Sequence, residues 1–338
     1  MGRRGTVWQI DGLPCTPTQN MKREKWLELR KLGIGGSDVA GIMKISPWST
    51  PLKIWCEKVG LAPDRDPTES MEFGLMMEPT LRNWAVEKMN THYTAGPAFK
   101  ILSSPYLYAR SDHPEYIANV DGVVLLDSDN TEQLWAGLEL KTTDRYYAED
   151  WAEDTVPDYY MPQVQWYMSV TGLMHWVIGV LIGKRFEIRV IDRDESLIAS
   201  ALEDVEPFWQ RVIDRLMPEA RGEDVKLLTT LFKGQTDDII QAADLAGTLE
   251  EYLEIAEELK NMTGIQDGLK ATIEQRIGNN KGLEADGFTA NWSRWEQSRV
   301  NTKMLKEMYP EVNAAVVKPS LTGRLTVKRP KEIEDATL

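Results

Sequence analysis

Cysteine and histidine are scarce: Cys15 and Cys56 are the only two thiols in 338 residues, beside three histidines. That excludes a disulfide framework, a four-cysteine iron–sulfur site and a cysteine-rich zinc site, so a bound metal would sit on carboxylates. Long apolar runs are missing too. No stretch approaches the roughly 18 residues that a membrane helix needs. The start, Met1-Gly2-Arg3-Arg4-Gly5-Thr6-Val7-Trp8, has basic residues but no apolar segment or small-residue cleavage site, which reads as a cytoplasmic chain. Nor is there a basic excess: 39 Lys and Arg against 53 Asp and Glu leave a net charge of −14. A sequence-indifferent nucleic-acid coat protein is thereby disfavoured, although local basic grooves are not. Lys22, Arg23, Lys25, Arg30 and Lys31 lie close together with only Glu24 and Glu28 among them, and taken alone that cluster is better explained by a solvated helix face than by a binding face.

What is present suffices for one sizeable core and an appendage, with 42% hydrophobic residues. Helical spacing runs from about Thr18 to Arg30, with Trp26, Leu29 and Leu32 on one side. Gly33-Ile34-Gly35-Gly36 then opens into a short helix for which Ser37 or Asp38 is the expected N-cap. A second helix starts at Pro51 and ends at Gly60, a loop covers 64–68, and an amphipathic helix runs from about Met71 to Met89 with Phe73, Met77, Leu81, Trp84 and Ala85 inward. Strand-like segments follow at 99–102, 106–111, 117–126 and 134–141, expected as one meander. A helix carrying Tyr160, Gln163 and Tyr167 precedes Gly172, and strands at 176–182 and 186–191 flank Gly183-Lys184. This order implies an α/β (α+β) architecture, a mixed sheet flanked by helices. Composition shifts near Pro218, giving domains at 1–217 and 218–338. The second holds a long helical pattern over 236–277, breakable at Gly264 and Gly268, a strand at 288–295, a helix at 301–309 and a last strand at 325–327.

The chemistry centres on Asp121-Gly122 and, 18 residues on, Glu139-Leu140-Lys141. Two apart on a strand, Glu139 and Lys141 share a face, and Asp121 at a bend of the neighbouring strand can converge with Glu139 on a hard cation. Such a site can hydrolyse a phosphodiester, although for an isolated Asp…Glu-x-Lys a cross-strand salt bridge on an exposed sheet face is the better explanation. Glu78 stands among apolar neighbours in Phe73-Gly74-Leu75-Met76-Met77-Glu78-Pro79, where a carboxylate is costly unless paired or bound to metal.

In order along the chain, Trp26-x-x-x-Arg30, Gly33-Ile34-Gly35-Gly36-Ser37-Asp38, Glu78, Ala118-Asn119-Val120-Asp121-Gly122, Glu139-Leu140-Lys141 and Tyr160-Met161-x-Gln163-x-Gln165 resemble the YqaJ-type viral recombinase family, which includes phage lambda exonuclease. The resemblance spans about Lys22 to Ile191. It implies a PD-(D/E)xK nuclease core and a Mg²⁺-dependent 5′→3′ exonuclease, Mn²⁺ being an acceptable alternative, which digests linear double-stranded DNA to leave 3′ overhangs. The resemblance further implies a phage- or prophage-encoded enzyme in the bacterial cytoplasm, a partner single-strand annealing protein of RecT or Red-beta type, and a homo-oligomer such as a ring-shaped trimer. Carried over by position, Asp121, Glu139, Glu78 and the Leu140 backbone carbonyl would bind metal. Lys141 would position the attacking water, Gln163 and Tyr160 would order the nucleophile or the scissile phosphate, and Arg30 with Ser37 would receive a 5′-terminal phosphate. The alternatives are an endonuclease of the same fold and a non-catalytic DNA-end adaptor that recruits an annealing protein.

Overall fold

The computed structural model describes residues 7–62, 68–94, 96–128, 131–234, 236–318 and 321–329; the loop expected at 64–68 lies outside these except for Thr68. The chain divides into two units, Met1–Leu231 and Phe232–Leu338.

The first unit begins with β1 (Cys15–Pro17), α1 (Arg23–Lys31), β2 (Ile34–Gly35), α2 (Gly36–Ile42), α3 (Pro51–Lys58) and α4 (Glu69–His92). Then come β3 (Ala98–Leu102), β4 (Tyr106–Ala109), β5 (Tyr116–Asn119), β6 (Gly122–Ser128) and β7 (Thr131–Thr143). After two short 3₁₀ turns, α5 (Met161–Thr171), β8 (His175–Ile182), β9 (Arg185–Asp192), α6 (Glu195–Ile213) and α7 (Val225–Leu231) complete it. The strands do not form one meander. A five-stranded sheet has the order β3-β6-β7-β8-β9, while β4 and β5 join β1 and β2 in a separate sheet of order β1-β4-β5-β2. The break falls at Asn119-Val120-Asp121, where the chain leaves one sheet for the other and turns Asp121 into a bend. The pair β7·β8 is parallel, with α5 as its crossover, and the other pairs of the larger sheet are antiparallel.

Alternation along the strands assigns the faces. On one, Leu81, Ala85 and Met89 of α4 pack on Val124, Ala136, Leu138, Val177 and Phe186. Burying a leucine or methionine in this way stabilises by about 1.5–3 kcal/mol. On the other, Val123, Leu125, Trp176, Ile178 and Val180 meet Val164, Trp166 and Met168 of α5 and the apolar residues of α2, α3 and α6. Phe73, expected inward, is exposed because the sheet-facing stripe of α4 begins later, with Met77 and Leu81. Pro79 sits within α4 without ending it.

The boundary expected at 217/218 falls instead after Leu231. Leu227, Leu228 and Leu231 pack against the main core, and the Thr50 hydroxyl donates to the buried Asp224 carboxylate. Thr50 also caps α3, accepting from the Lys53 N–H at 3.1 Å. A chain of residues 1–231 should therefore melt cooperatively, and one of residues 1–217 should melt about 5–10 °C lower in differential scanning calorimetry, from the lost hydrogen bond and packing. Equal melting temperatures would restore the earlier boundary.

In the second unit α8 (Ala246–Ile277) is one unbroken 32-residue helix, so Gly264 and Gly268 do not divide it. A helical glycine costs about 1 kcal/mol relative to alanine, too little to stop a helix of this length. It begins ten residues later than the 236–277 pattern suggests. A hairpin of β10 (Gly282–Ala285) and β11 (Phe288–Asn291), then α9 (Thr302–Met308) and α10 (Pro310–Val316), follow. The strand expected at 325–327 is not formed: that segment is irregular, and its Arg329 pairs with Glu250 at 2.9 Å on α8.

Candidate active site

Strand β7 carries Glu139 and Lys141 toward α5, and Lys141 Nζ donates to Glu139 Oε1 at 2.6 Å and to Gln163 Oε1 at 2.9 Å. Gln163 Nε2 donates to the same Glu139 oxygen at 2.7 Å and to the Tyr167 hydroxyl at 2.9 Å. One carboxylate oxygen is thus held by two donors while Lys141 also lies 4.7 Å from the centre of the Tyr160 ring. The Tyr160–Gln163–Tyr167 stripe lines this site and does not face solvent: Gln163 and Tyr167 are buried. Burial and the Glu139 charge push the Tyr160 hydroxyl up to about 12 and raise Tyr167 as well, so both remain neutral phenols at physiological pH.

Asp121 is fixed at both ends. Its carboxylate Oδ2 accepts from the Leu140 N–H at 2.7 Å, and its backbone carbonyl accepts from Arg82 Nε and Nη2 at 3.1 and 2.9 Å. Arg82 also pairs with Glu78 one turn earlier on α4. Arg82 was missed in the sequence, although Glu78-x-x-x-Arg82 is a helical ion-pair spacing that could have flagged it. Burial, then the charges of Glu139 and Glu78, raise the Asp121 carboxyl well above the usual range, against the Leu140 N–H and Lys141. Glu78 is raised by burial and by Glu139, against Arg82.

Among the described residues no three His, Cys, Asp or Glu side chains form a ready metal cage. Asp121 and Glu139 line a common cleft, while Glu78 is engaged by Arg82. The donor chemistry still suits a hard divalent ion: carboxylates whose mutual repulsion raises Asp121 gain from a cation beside them.

The same cleft, roughly 160 Å³, is lined by Trp26, Arg30, Gly35, Gly36, Ser37, Asn119, Asp121, Glu139 and Tyr167. Arg30 Nη2 donates to the Ser37 hydroxyl at 2.6 Å, and its guanidinium lies 5.0 Å from the Trp26 ring. Of the basic cluster on α1, Arg30 is the member that reaches the cleft. Asn119, the last residue of β5, accepts a long 3.5 Å contact from Trp26 Nε1. Neither Ser37 nor Asp38 is the N-cap of α2. Gly35 holds that position, and Asp38, three residues in, accepts from the Gly35 N–H at 3.0 Å, which leaves the Ser37 hydroxyl to Arg30. Asp38 also receives Lys58 Nζ at 2.6 Å and Arg30 at 3.2 Å, and Lys58 Nζ donates to the Arg30 carbonyl at 2.9 Å. Lys58 carried no sequence signal, being 20 residues from Asp38 on a helix otherwise read for its apolar face. Gly36 brings α2 onto α5: a Cβ there would stand 2.5 Å from the Tyr167 ring and 2.9 Å from the Gln163 carbonyl oxygen.

Residues 25–174, which contain every one of these groups, match the model of the YqaJ-like viral recombinase domain. Over that segment the chain is similar to this domain. Over 323 residues it is 27% identical to the protein YqaJ of Bacillus subtilis (strain 168), covering 91% of this chain and 95% of that one, so this likeness continues beyond the domain. Among solved structures, the alkaline exonuclease LHK-Exo from Laribacter hongkongensis aligns with a TM-score of 0.46 at 18% identity over 57% of this chain and 94% of its own. LHK-Exo in complex with dAMP gives a TM-score of 0.45 over the same shares. The matched segment ends before β8, so β8, β9, α6 and α7, which complete the sheet and core, lie outside it.

Proposed function

We propose that the protein is a metal-dependent nuclease of linear double-stranded DNA, working 5′→3′ from a terminal phosphate to leave 3′ overhangs for recombination by strand annealing. The observation that carries this reading is one cleft lined both by the Arg30–Ser37 pair and by the Asp121 and Glu139 carboxylates. A guanidinium beside a hydroxyl and the first N–H groups of α2 suits a phosphate monoester, which exists at a DNA end and not within a strand. That favours an exonuclease over an endonuclease of the same fold. Retention of three crowded carboxylates with Lys141 favours an enzyme over an end-binding adaptor.

In this reading Asp121, Glu139, Glu78 and the Leu140 carbonyl would hold Mg²⁺, or Mn²⁺ in its place. Such an ion supplies Lewis acidity at the phosphoryl oxygen and lowers the pKa of bound water. The chain's own groups do the rest. Lys141, steered by Glu139 and Gln163, offers an N–H to the attacking water and offsets charge developing on the phosphate. Tyr160, a neutral phenol, forms the wall over that ammonium. Arg30 and Ser37 anchor the terminal phosphate so that the next linkage meets the carboxylates. A RecT- or Red-beta-type annealing protein would take up the single strand produced, and a ring-shaped trimer would keep the enzyme on its track.

With Mg²⁺, a linear duplex bearing a 5′-phosphate should be digested, its 5′-hydroxyl counterpart should react at least about tenfold more slowly, and the closed circle should stay intact. Chelator should stop all digestion. Cutting of the circle would mean an endonuclease, and no cutting at all would leave an end-binding adaptor.

A further inference from the structure

Trp48, in the loop between α2 and α3, is 59% exposed, yet it is not isolated. Its ring meets Tyr159 edge-on at 4.8 Å and Tyr160 at 5.9 Å, and the two tyrosines are 4.6 Å apart. Tyr160 rests on buried Trp151 at 5.6 Å and lies beneath the Lys141 ammonium. The loop that presents Trp48 is tied down, because the Trp48 N–H donates to Ser46 Oγ at 3.2 Å and its carbonyl accepts from Lys53 Nζ at 2.7 Å. An unbroken aromatic path therefore runs from Lys141 to solvent. Packing accounts for Trp151 and the inner side of Tyr160; it does not account for a large ring held open to water at the far end.

We infer that Trp48, Tyr159 and Tyr160 form a nucleobase-stacking subsite for the DNA strand whose phosphate reaches Lys141. This rests on the nuclease reading, since the path's inner end is the residue assigned to the phosphate. Aromatic faces bind bases of any sequence, as an enzyme that digests DNA regardless of sequence requires. The tyrosine hydroxyls add no negative charge against the backbone, as burial pushes both up to about 12.

The test is binding in chelator, where nothing is cut, followed by fluorescence anisotropy. The probes are a 5′-phosphorylated duplex and the same duplex with abasic sites in its terminal nucleotides. Trp48→Ala should weaken binding of the intact end about tenfold, Trp48→Phe should stay within about twofold of wild type, and on the abasic end the alanine variant should match wild type. An equal loss on both ends, no loss on either, or a change of oligomeric mass on Trp48→Ala would overturn the subsite, the last revealing a protein contact instead. Digestion by the wild type separates the two levels. If DNA is cut and the ring and base effects merely add, the subsite alone falls. If the coupling appears and DNA is never cut with Mg²⁺, the subsite stands and the nuclease reading falls.

Discussion

Replacing Glu139 by Gln should lower DNA cleavage by at least about 10³-fold while the protein still melts cooperatively. The amide oxygen can keep accepting from Lys141 and Gln163, so the contacts that join β7 to α5 survive. What is lost is a negative charge beside Asp121. Cleavage of a 5′-phosphorylated duplex, with circular dichroism on the same sample, checks both parts. Activity within tenfold of wild type would remove Glu139 from the chemistry and return the Asp121, Glu139 and Lys141 group to a structural ion-pair network. Loss of the cooperative melt would instead show that the carboxylate is needed for folding.

The second large effect is expected at Asp38. Lys58 and Asp38 side chains are only 4% and 6% exposed, so Asp38→Asn strands a buried ammonium. Breaking one partner of such a pair costs about 3–5 kcal/mol. Burial raises the Asp38 carboxyl, but Lys58 and Arg30 outweigh it and hold the group below the usual carboxylate range. With the folded value depressed, its stabilisation is complete above the unfolded carboxylate value of about 4 and is lost as pH falls through the folded value. Urea melts should show Asp38→Asn weaker by that amount at neutral pH, with the gap to wild type closing in acid. The variant should also lose preference for a 5′-phosphate, because Asp38 tethers the Arg30 guanidinium that reaches Ser37. A gap that stays constant with pH, or an unchanged phosphate preference, would separate Asp38 from this role.

How much of this was legible in the sequence follows from the distance over which each signal acts. Glu139 and Lys141 share a face because strand alternation is a two-residue rule, and the structure puts both against α5. Arg30 and Ser37 are seven residues apart across one glycine turn, and their contact is as local as the motif. The partition of the strands was not readable: β4 and β5 have the same β-rich composition as β6 and β7, and only long-range pairing sends them to a different sheet. Lys58 and Arg82 were missed for a related reason. Each serves a residue 20 to 39 positions away; the Glu78-x-x-x-Arg82 spacing within α4 marks an ion pair but not the contact with Asp121, and Lys58 has no such local mark. Residues 218–231 were misassigned because composition turns polar at Pro218 while Asp224, on a short turn, reaches back 174 residues to Thr50.

Gly36 has no functional group, yet in the proposed enzyme it acts as a gauge. The bare Cα lets the start of α2 rest on Tyr167 and Gln163, and so sets how far the terminal-phosphate anchor stands from the hydrolytic carboxylates. That span fixes how many nucleotides fit between the held end and the broken bond. The length of the released product is then a dimension of the backbone, decided where two helices touch, and the residues that perform the chemistry inherit it.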